Sequence, residues 1–173
     1  EEYRYEVIAM KPSFILSQLE ANDLPVVFLD TDLEFHEYPR LFNPGTWPLY
    51  DRDLLFFNFW GNETKPETRD HPQIGSGIVF ANKTSRGVMV LNAWAQAMAW
   101  EGNTRAPDDQ VLDTLLVQGG WLRHVSLGWL PVSYLRTMPS YYRGVDPVID
   151  HDHGNMPGLL NHSTRKPRLP PVS

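Results

Sequence analysis

An α/β sandwich around a sheet that is parallel in part is the fold the sequence predicts, on three observations. Short apolar runs at 24–29, 54–60 and 74–81 have the length and density of buried strands. Two well-punctuated helical stretches follow them, one over 85–100 and one from Pro107 to Gly119. Strands alternating with helices form layered domains, in which ligands gather outside the carboxyl ends of the strands.

Each element has its own signal. Residues 4–20 read as an amphipathic helix with Val7, Ile8, Phe14, Ile15 and Leu19 on one face, kinked or started late by Pro12. Asn22-Asp23 breaks it. The run 24–29 is then expected to be a strand buried on both faces. The run 54–60 is a second strand, followed by a polar loop over 61–72, and 74–81 is a third that carries Gly75-Ser76-Gly77 near its start. Ser85 is the expected N-cap of the next helix, with Val88, Leu91, Trp94, Ala95 and Met98 inward and Gly102 after its end. Pro107-Asp108-Asp109 opens another, its carboxylates on the positive end of the helix dipole. Val111, Leu112, Leu115 and Leu116 form its apolar face, and Gly119-Gly120 stops it. One or two strands are expected within 121–135 and a short last one at 147–150. These readings place one domain over 1–156 and a flexible tail, rich in Pro, Arg and Lys, over 157–173.

Composition narrows the function. At 173 residues the chain is long enough for one domain with a real core. Apolar residues at 42% and charged residues at 21% are those of a globular protein, so disorder is not the default. No apolar run approaches the ~20 residues of a membrane span. A net charge of −6, with basic residues scattered until Arg165, Lys166 and Arg168, argues against a nucleic-acid surface. The absence of cysteine excludes disulfides, zinc-thiolate sites and a cysteine nucleophile. Three N-x-S/T sequons, at Asn62, Asn82 and Asn161, hint at a secretory origin, whereas the lack of cysteine points the other way. The compartment stays open: a Golgi lumen if the protein is eukaryotic and secretory, the cytoplasm otherwise. A first residue of Glu rather than Met suggests a processed or excised chain.

Four motifs could carry chemistry. Asp30-Thr31-Asp32 follows an apolar strand, where two converging carboxylates repel unless a cation lies between them. A strand-end turn with a capping Asp explains a lone D-x-D equally well, but the flanking V-V-F-L and L-E-F favour the metal. Near the chain's end, Val148-Ile149 delivers Asp150, His151, Asp152 and His153 together, and imidazole suits Mn²⁺ better than Mg²⁺. Zinc held by His151, His153 and a carboxylate is a further reading, and a solvated loop is the plain one. Asp108-Asp109-Gln110 is either a well-charged helix start or a carboxylate able to deprotonate a hydroxyl. Gly75-Ser76-Gly77 admits close approach to the backbone, or simply a bulge.

In this order the pieces resemble the glycosyltransferase A fold, in particular its nucleotide-diphospho-sugar transferases. The pattern runs from Lys11-Pro12 and Ile15 through V-V-F-L-D-T-D-L-E-F, Pro39-x-x-Phe42 and G-S-G-I-V-F to the helix with Trp94. Asp108-Asp109-Gln110 and Ile149-x-His151 complete it, so that it covers roughly residues 5–155. The resemblance implies a Rossmann-like mixed sheet sandwiched by helices, and transfer of a sugar from a nucleoside-diphosphate sugar to a hydroxyl of a glycan or other acceptor. It implies Asp32 as direct ligand of Mn²⁺ or Mg²⁺, with Asp30 on the metal or the ribose and His151, or else His153, as the late ligand. Lys11, Asp30, Gly75, Ser76 and Gly77 would hold the donor, and Asp109 or Asp108 would face the donor sugar or the acceptor hydroxyl. The family carries strand–helix units for the nucleotide base ahead of its D-x-D. Few residues precede Asp30 here, so a truncated form is expected: a fragment, a compact variant or a non-catalytic domain.

Two rival readings come from the same residues. V-V-F-L-D-T-D also resembles the first motif of haloacid-dehalogenase-type phosphatases, with Asp30 as a phosphorylated nucleophile. That family needs a strand-borne Asp-Asp pair, and here Pro107 puts Asp108-Asp109 at a helix start. A non-catalytic sugar- or partner-binding domain is the other, using aromatics such as Trp47, Trp60, Tyr141 and Tyr142 unless they pack in the core.

Overall fold

The computed structural model describes residues 2–43, 45, 51–59, 72–135, 144–151 and 168–169. Trp47, Trp60, Tyr141, Tyr142 and His153 lie outside the described residues, as do the sequons at 62 and 161.

The first helical stretch forms two helices, α1 (Glu2–Ala9) and α2 (Lys11–Ala21). Pro12 sits in the first turn of α2, where no backbone N–H is needed, and the chain breaks just before it at Met10. The break separates Val7 and Ile8 in α1 from the helical phase of Ile15 and Leu19 in α2. Ile15 and Leu19 are buried as predicted, whereas Val7 and Phe14 are 53% and 52% exposed. Phe14 instead meets Phe28 edge-on.

The strands are β1 (Val26–Leu29), β2 (Leu33–Phe35), β3 (Leu54–Asn58), β4 (Ile74–Ala81), β5 (Leu127–Trp129) and β6 (Ile149–His151). Four of them make one mixed sheet in the order β1-β4-β3-β5. β4 is antiparallel to both neighbours, and β5 runs parallel to β3. The central strands β3 and β4 are buried along their whole length. β1 differs from expectation. It pairs only with β4 among the described residues, and each of its residues is half-buried. A run of apolar residues specifies a strand but not its place in the sheet.

Alternation of side chains gives the sheet two apolar faces. Leu54, Phe56, Val79 and Ala81 pack against Ile15, Leu19, Leu91, Trp94, Leu112 and Leu116 from α2, α3 (Ser85–Ala99) and α4 (Asp108–Gln118). Leu55, Phe57, Ile78 and Phe80 meet Leu130, Tyr134, Leu135 and Ile149, so the β2–β6 ribbon and nearby 3₁₀ turns cover the second face. No helix among the described residues is long and apolar enough to cross a membrane.

Local chemistry fixes the helix ends. Thr84, one residue before the predicted cap, accepts the Gly87 N–H at 3.0 Å and so starts α3. Gly119 and Gly120 close α4, Gly120 in the left-handed region that favours glycine. Trp94 is fully buried and donates its indole N–H to the Asp108 carbonyl, which fixes the start of α4 against α3. Asn103 donates to the Arg168 carbonyl and accepts from the Arg168 N–H, both at 3.0 Å, and Leu169 beside it packs on the helical core.

One buried carboxylate ties three elements together. Asp53 accepts from the Thr84 hydroxyl and the Ser126 N–H, each at 2.6 Å, and pairs with Arg86 at 3.1 Å. It therefore joins the start of β3 to the approach of β5 and the cap of α3. Asp53→Ala leaves those donors without their acceptor and is expected to cost about 2–4 kcal/mol. Urea denaturation checks this, and a loss below roughly 0.5 kcal/mol, the size of an ordinary surface change, would contradict it.

Candidate functional site

The site begins where β1 ends. The Asp30 N–H donates to the Gly77 carbonyl at 2.9 Å, extending the β1–β4 pairing by one residue before the chain turns. Asp32 follows in that turn, and β2 then pairs antiparallel with β6 so that Leu33 lies opposite His151. This register brings a residue 119 positions away in sequence to the D-x-D, with His151 Nε2 3.1 Å from Asp32 Oδ1. The ribbon is held in place by the Val148 carbonyl, which accepts from His36 and Glu37, and by the Val148 N–H, which donates to Ser133 at 2.7 Å. His36 and Asp150 pair across it at 3.2 Å.

Asp30, Asp32 and His151 each offer one ligand atom, all within 4.8 Å of one another. The side chain of Asp32 is 58% exposed and that of His151 only 10%, so the group opens to solvent on the Asp32 side. Burial lowers the His151 pKa despite the opposing pull of Asp32, which favours a neutral imidazole with a lone pair to give. Burial raises the Asp30 carboxyl, and the Lys11 ammonium works against that rise.

Lys11 lies on the inner side of the corner. Its ammonium is 2.9 Å from Asp108 Oδ2, 3.1 Å from Asp30 Oδ1 and 3.2 Å from both the carbonyl and the hydroxyl of Ser76. Ser76 donates its hydroxyl to Asp108 at 2.7 Å. Burial alone would lower the Lys11 pKa, but Asp108 and Asp30 outweigh it and hold it raised. Lys11, Asp30, Ser76 and Asp108 thus share one connected network, three of them chosen from the sequence as donor-binding residues and the fourth as a catalytic candidate.

The glycines around Ser76 mark an irregularity. Between Leu55↔Phe80 and Phe57↔Gly75, β3 advances two residues while β4 uses five. This bulge turns Ser76 toward Lys11 and α4. A side chain at 75 would come within 3.0 Å of the Phe59 ring, so Gly75 serves close packing. One at 77 would stand 3.5 Å from Asp30 and 3.7 Å from His151, so Gly77 borders the acidic corner.

The two carboxylates opening α4 have separate surroundings. Asp108 is held by Lys11 and Ser76. Asp109 accepts the Gln110 N–H at 2.7 Å and forms no salt bridge among the described residues. Burial, and then the charge on Asp108, push Asp109 up to about 6. One turn on, Asp113 accepts the Ile74 N–H at 2.9 Å and is pushed up to about 7 by burial, with Asp109 adding to the rise. Asp113 is absent from the motifs read above; its signal in the sequence is the D-x-x-x-D spacing on a helix, which puts both carboxylates on one face.

A family model for nucleotide-diphospho-sugar transferases matches residues 1–154. The chain belongs to the nucleotide-diphospho-sugar transferase family. The matched residues run from α1 through His151, so the whole network above lies inside the transferase match. Neither the curated proteins nor the solved structures compared with the chain gave a match. Asp108-Asp109 begin α4 rather than ending a strand, and the family match leaves the phosphatase reading without support.

The raised Asp113 carboxyl has a pH signature. Its folded value, about 7, lies above the 3.8 of an ordinary aspartate, so the folded state holds the proton more tightly. Stability therefore falls as pH rises from about 4 to about 7, and the cost is complete above that window. Asp113→Asn keeps an acceptor for Ile74 and removes the charge. It is expected to stabilise the protein by about 1–2 kcal/mol at pH 8 and by little at pH 4. Urea melts at both pH values check this; an equal effect at both would contradict it.

Proposed function

We propose that this transferase moves a sugar from a nucleoside-diphosphate sugar to an acceptor hydroxyl, on a glycan or another hydroxyl-bearing molecule. The observation that carries the proposal is the convergence of Asp30, Asp32 and His151 at one sheet edge within the family match. Two carboxylate oxygens and a neutral imidazole nitrogen fit a divalent cation, and the imidazole favours Mn²⁺ over Mg²⁺. Asp32, exposed and next to His151, is the principal ligand, with Asp30 and His151 beside it. When bound, the cation supplies Lewis-acid stabilisation of the charge that develops on the departing nucleoside diphosphate.

The remaining residues have work of their own. Asp109 is the carboxylate suited to take the acceptor proton. Raised to about 6, it is ionised at neutral pH yet more basic than an ordinary Asp, which is what a general base requires. Asp108, bound to Lys11 and Ser76, holds the start of α4 in place and so orients its neighbour. Gly77 leaves the floor beside Asp30 and His151 bare, where the donor's diphosphate and sugar are accommodated. A base at Asp109 makes the transfer inverting.

Thermal melting with Mn²⁺ and a panel of nucleoside diphosphates tests the reading. A joint stabilisation of about 2.7 kcal/mol is expected at 100-fold saturation, and its loss in Asp32→Ala. No shift with any nucleotide, in folded protein, would overturn it. Asp109→Asn is expected to lower kcat by about 10²–10³-fold with Mn²⁺ binding kept. An unaffected kcat would instead indicate a retaining transfer, and nucleotide binding without turnover in the parent chain a binding domain.

A further inference from the structure

We infer that Lys11 is a positioning residue joining the cation corner to the start of α4, so that the Asp108 carboxylate sets how tightly Asp30 and Asp32 hold a cation. The inference rests on the donor-site reading. Lys11 sits on α2, Asp30 at the end of β1 and Asp108 at the start of α4. The Lys11 side chain is 6% exposed, and the Phe28 ring lies 5.2 Å from its ammonium. An ammonium has three hydrogens to donate. Asp108, Asp30 and Ser76 take them at 2.9–3.2 Å, which leaves none for a phosphate. Lys11 therefore acts through the carboxylates rather than by touching a ligand.

Charge gives the inference its sign. Asp30, Asp32 and Asp108, with Asp109 next to Asp108, face the one ammonium of Lys11, so the corner is net negative and attracts a divalent ion. Asp108→Asn withdraws one negative charge and turns the whole Lys11 charge toward Asp30, so Mn²⁺ binds more weakly. Lys11→Met adds one, so Mn²⁺ binds more tightly. The double variant restores the balance. A merely structural role would loosen the corner and weaken Mn²⁺ in all three.

Titration of the full chain with Mn²⁺, read by the electron-spin resonance of the free ion, tests this on variants shown by circular dichroism to be folded. The expected results are roughly threefold to tenfold weaker binding in Asp108→Asn, a similar factor tighter in Lys11→Met, and near-parental binding in the double variant, the effect of one partly screened charge. Unchanged affinity in Asp108→Asn, or weakening in Lys11→Met, would overturn the inference. Metal-free melting gives an independent check. Asp30→Asn and Asp108→Asn together should cost more than the sum of the two, because the pair of changes strands a buried ammonium. Additive losses would overturn the bridge. A parent chain that takes up no Mn²⁺ would overturn the donor-site reading, and the melting cycle would still decide the bridge.

Discussion

Three carboxylates meet where β1, β4 and α4 come together, and repulsion among them is the constraint that the rest of the site depends on. Unit charges at such separations interact by kilocalories in a partly buried setting, so they persist as anions only beside cations. The Lys11 ammonium answers Asp30 and Asp108 from the inside. On the outside, Asp32 faces solvent with the neutral His151 next to it. On the inner side one ammonium answers two carboxylates, and on the outer side the corner opens to solvent at Asp32, so the corner stays net negative.

Several features of the fold follow from that arrangement. The bulge in β4 turns Ser76 inward to supply two of the ammonium's acceptors. The indole of Trp94 fixes the backbone at Asp108, which places α4 so that Asp108 points to Lys11 and Asp109 lies next to it. The β2–β6 ribbon closes over the second apolar face and carries His151 with it. Packing and electrostatics therefore share the same elements: Ile149 is core, and two residues on, His151 lines the acidic corner.

Local signals in the chain read well. β4 falls on 74–81 as its apolar run and glycines indicate, and α4 begins after Pro107 and ends at Gly119-Gly120. The D-x-D lies at a strand's carboxyl end because apolar residues stop at Leu29 and charge begins at Asp30. Features set by distant partners read poorly. Nothing near Leu33 or His151 specifies their pairing, since register is fixed by which faces two remote segments must bury. Lys11 is marked in the sequence only through the family resemblance, as a donor-binding residue; its burial depends on Asp30 and Asp108, which the fold brings to it. Val7 lies off the buried face because the helix breaks at Met10, and Phe14 lies at the margin of the α2 face that buries Lys11, Ile15 and Leu19. Thr84 and Ser85 are both good caps, and the choice between them came from Asp53, 31 residues before Thr84.

By the proposal above, the β2–β6 pairing makes Asp30, Asp32 and His151 one cation site. Pulsed electron-spin resonance of bound Mn²⁺ tests it most directly, because an imidazole nitrogen on the ion produces a coupling that carboxylates do not. One such coupling is expected in the parent chain, kept in His153→Gln and lost in His151→Gln. A bound ion without nitrogen coupling, or a coupling that survives loss of His151 and disappears with His153, would contradict it.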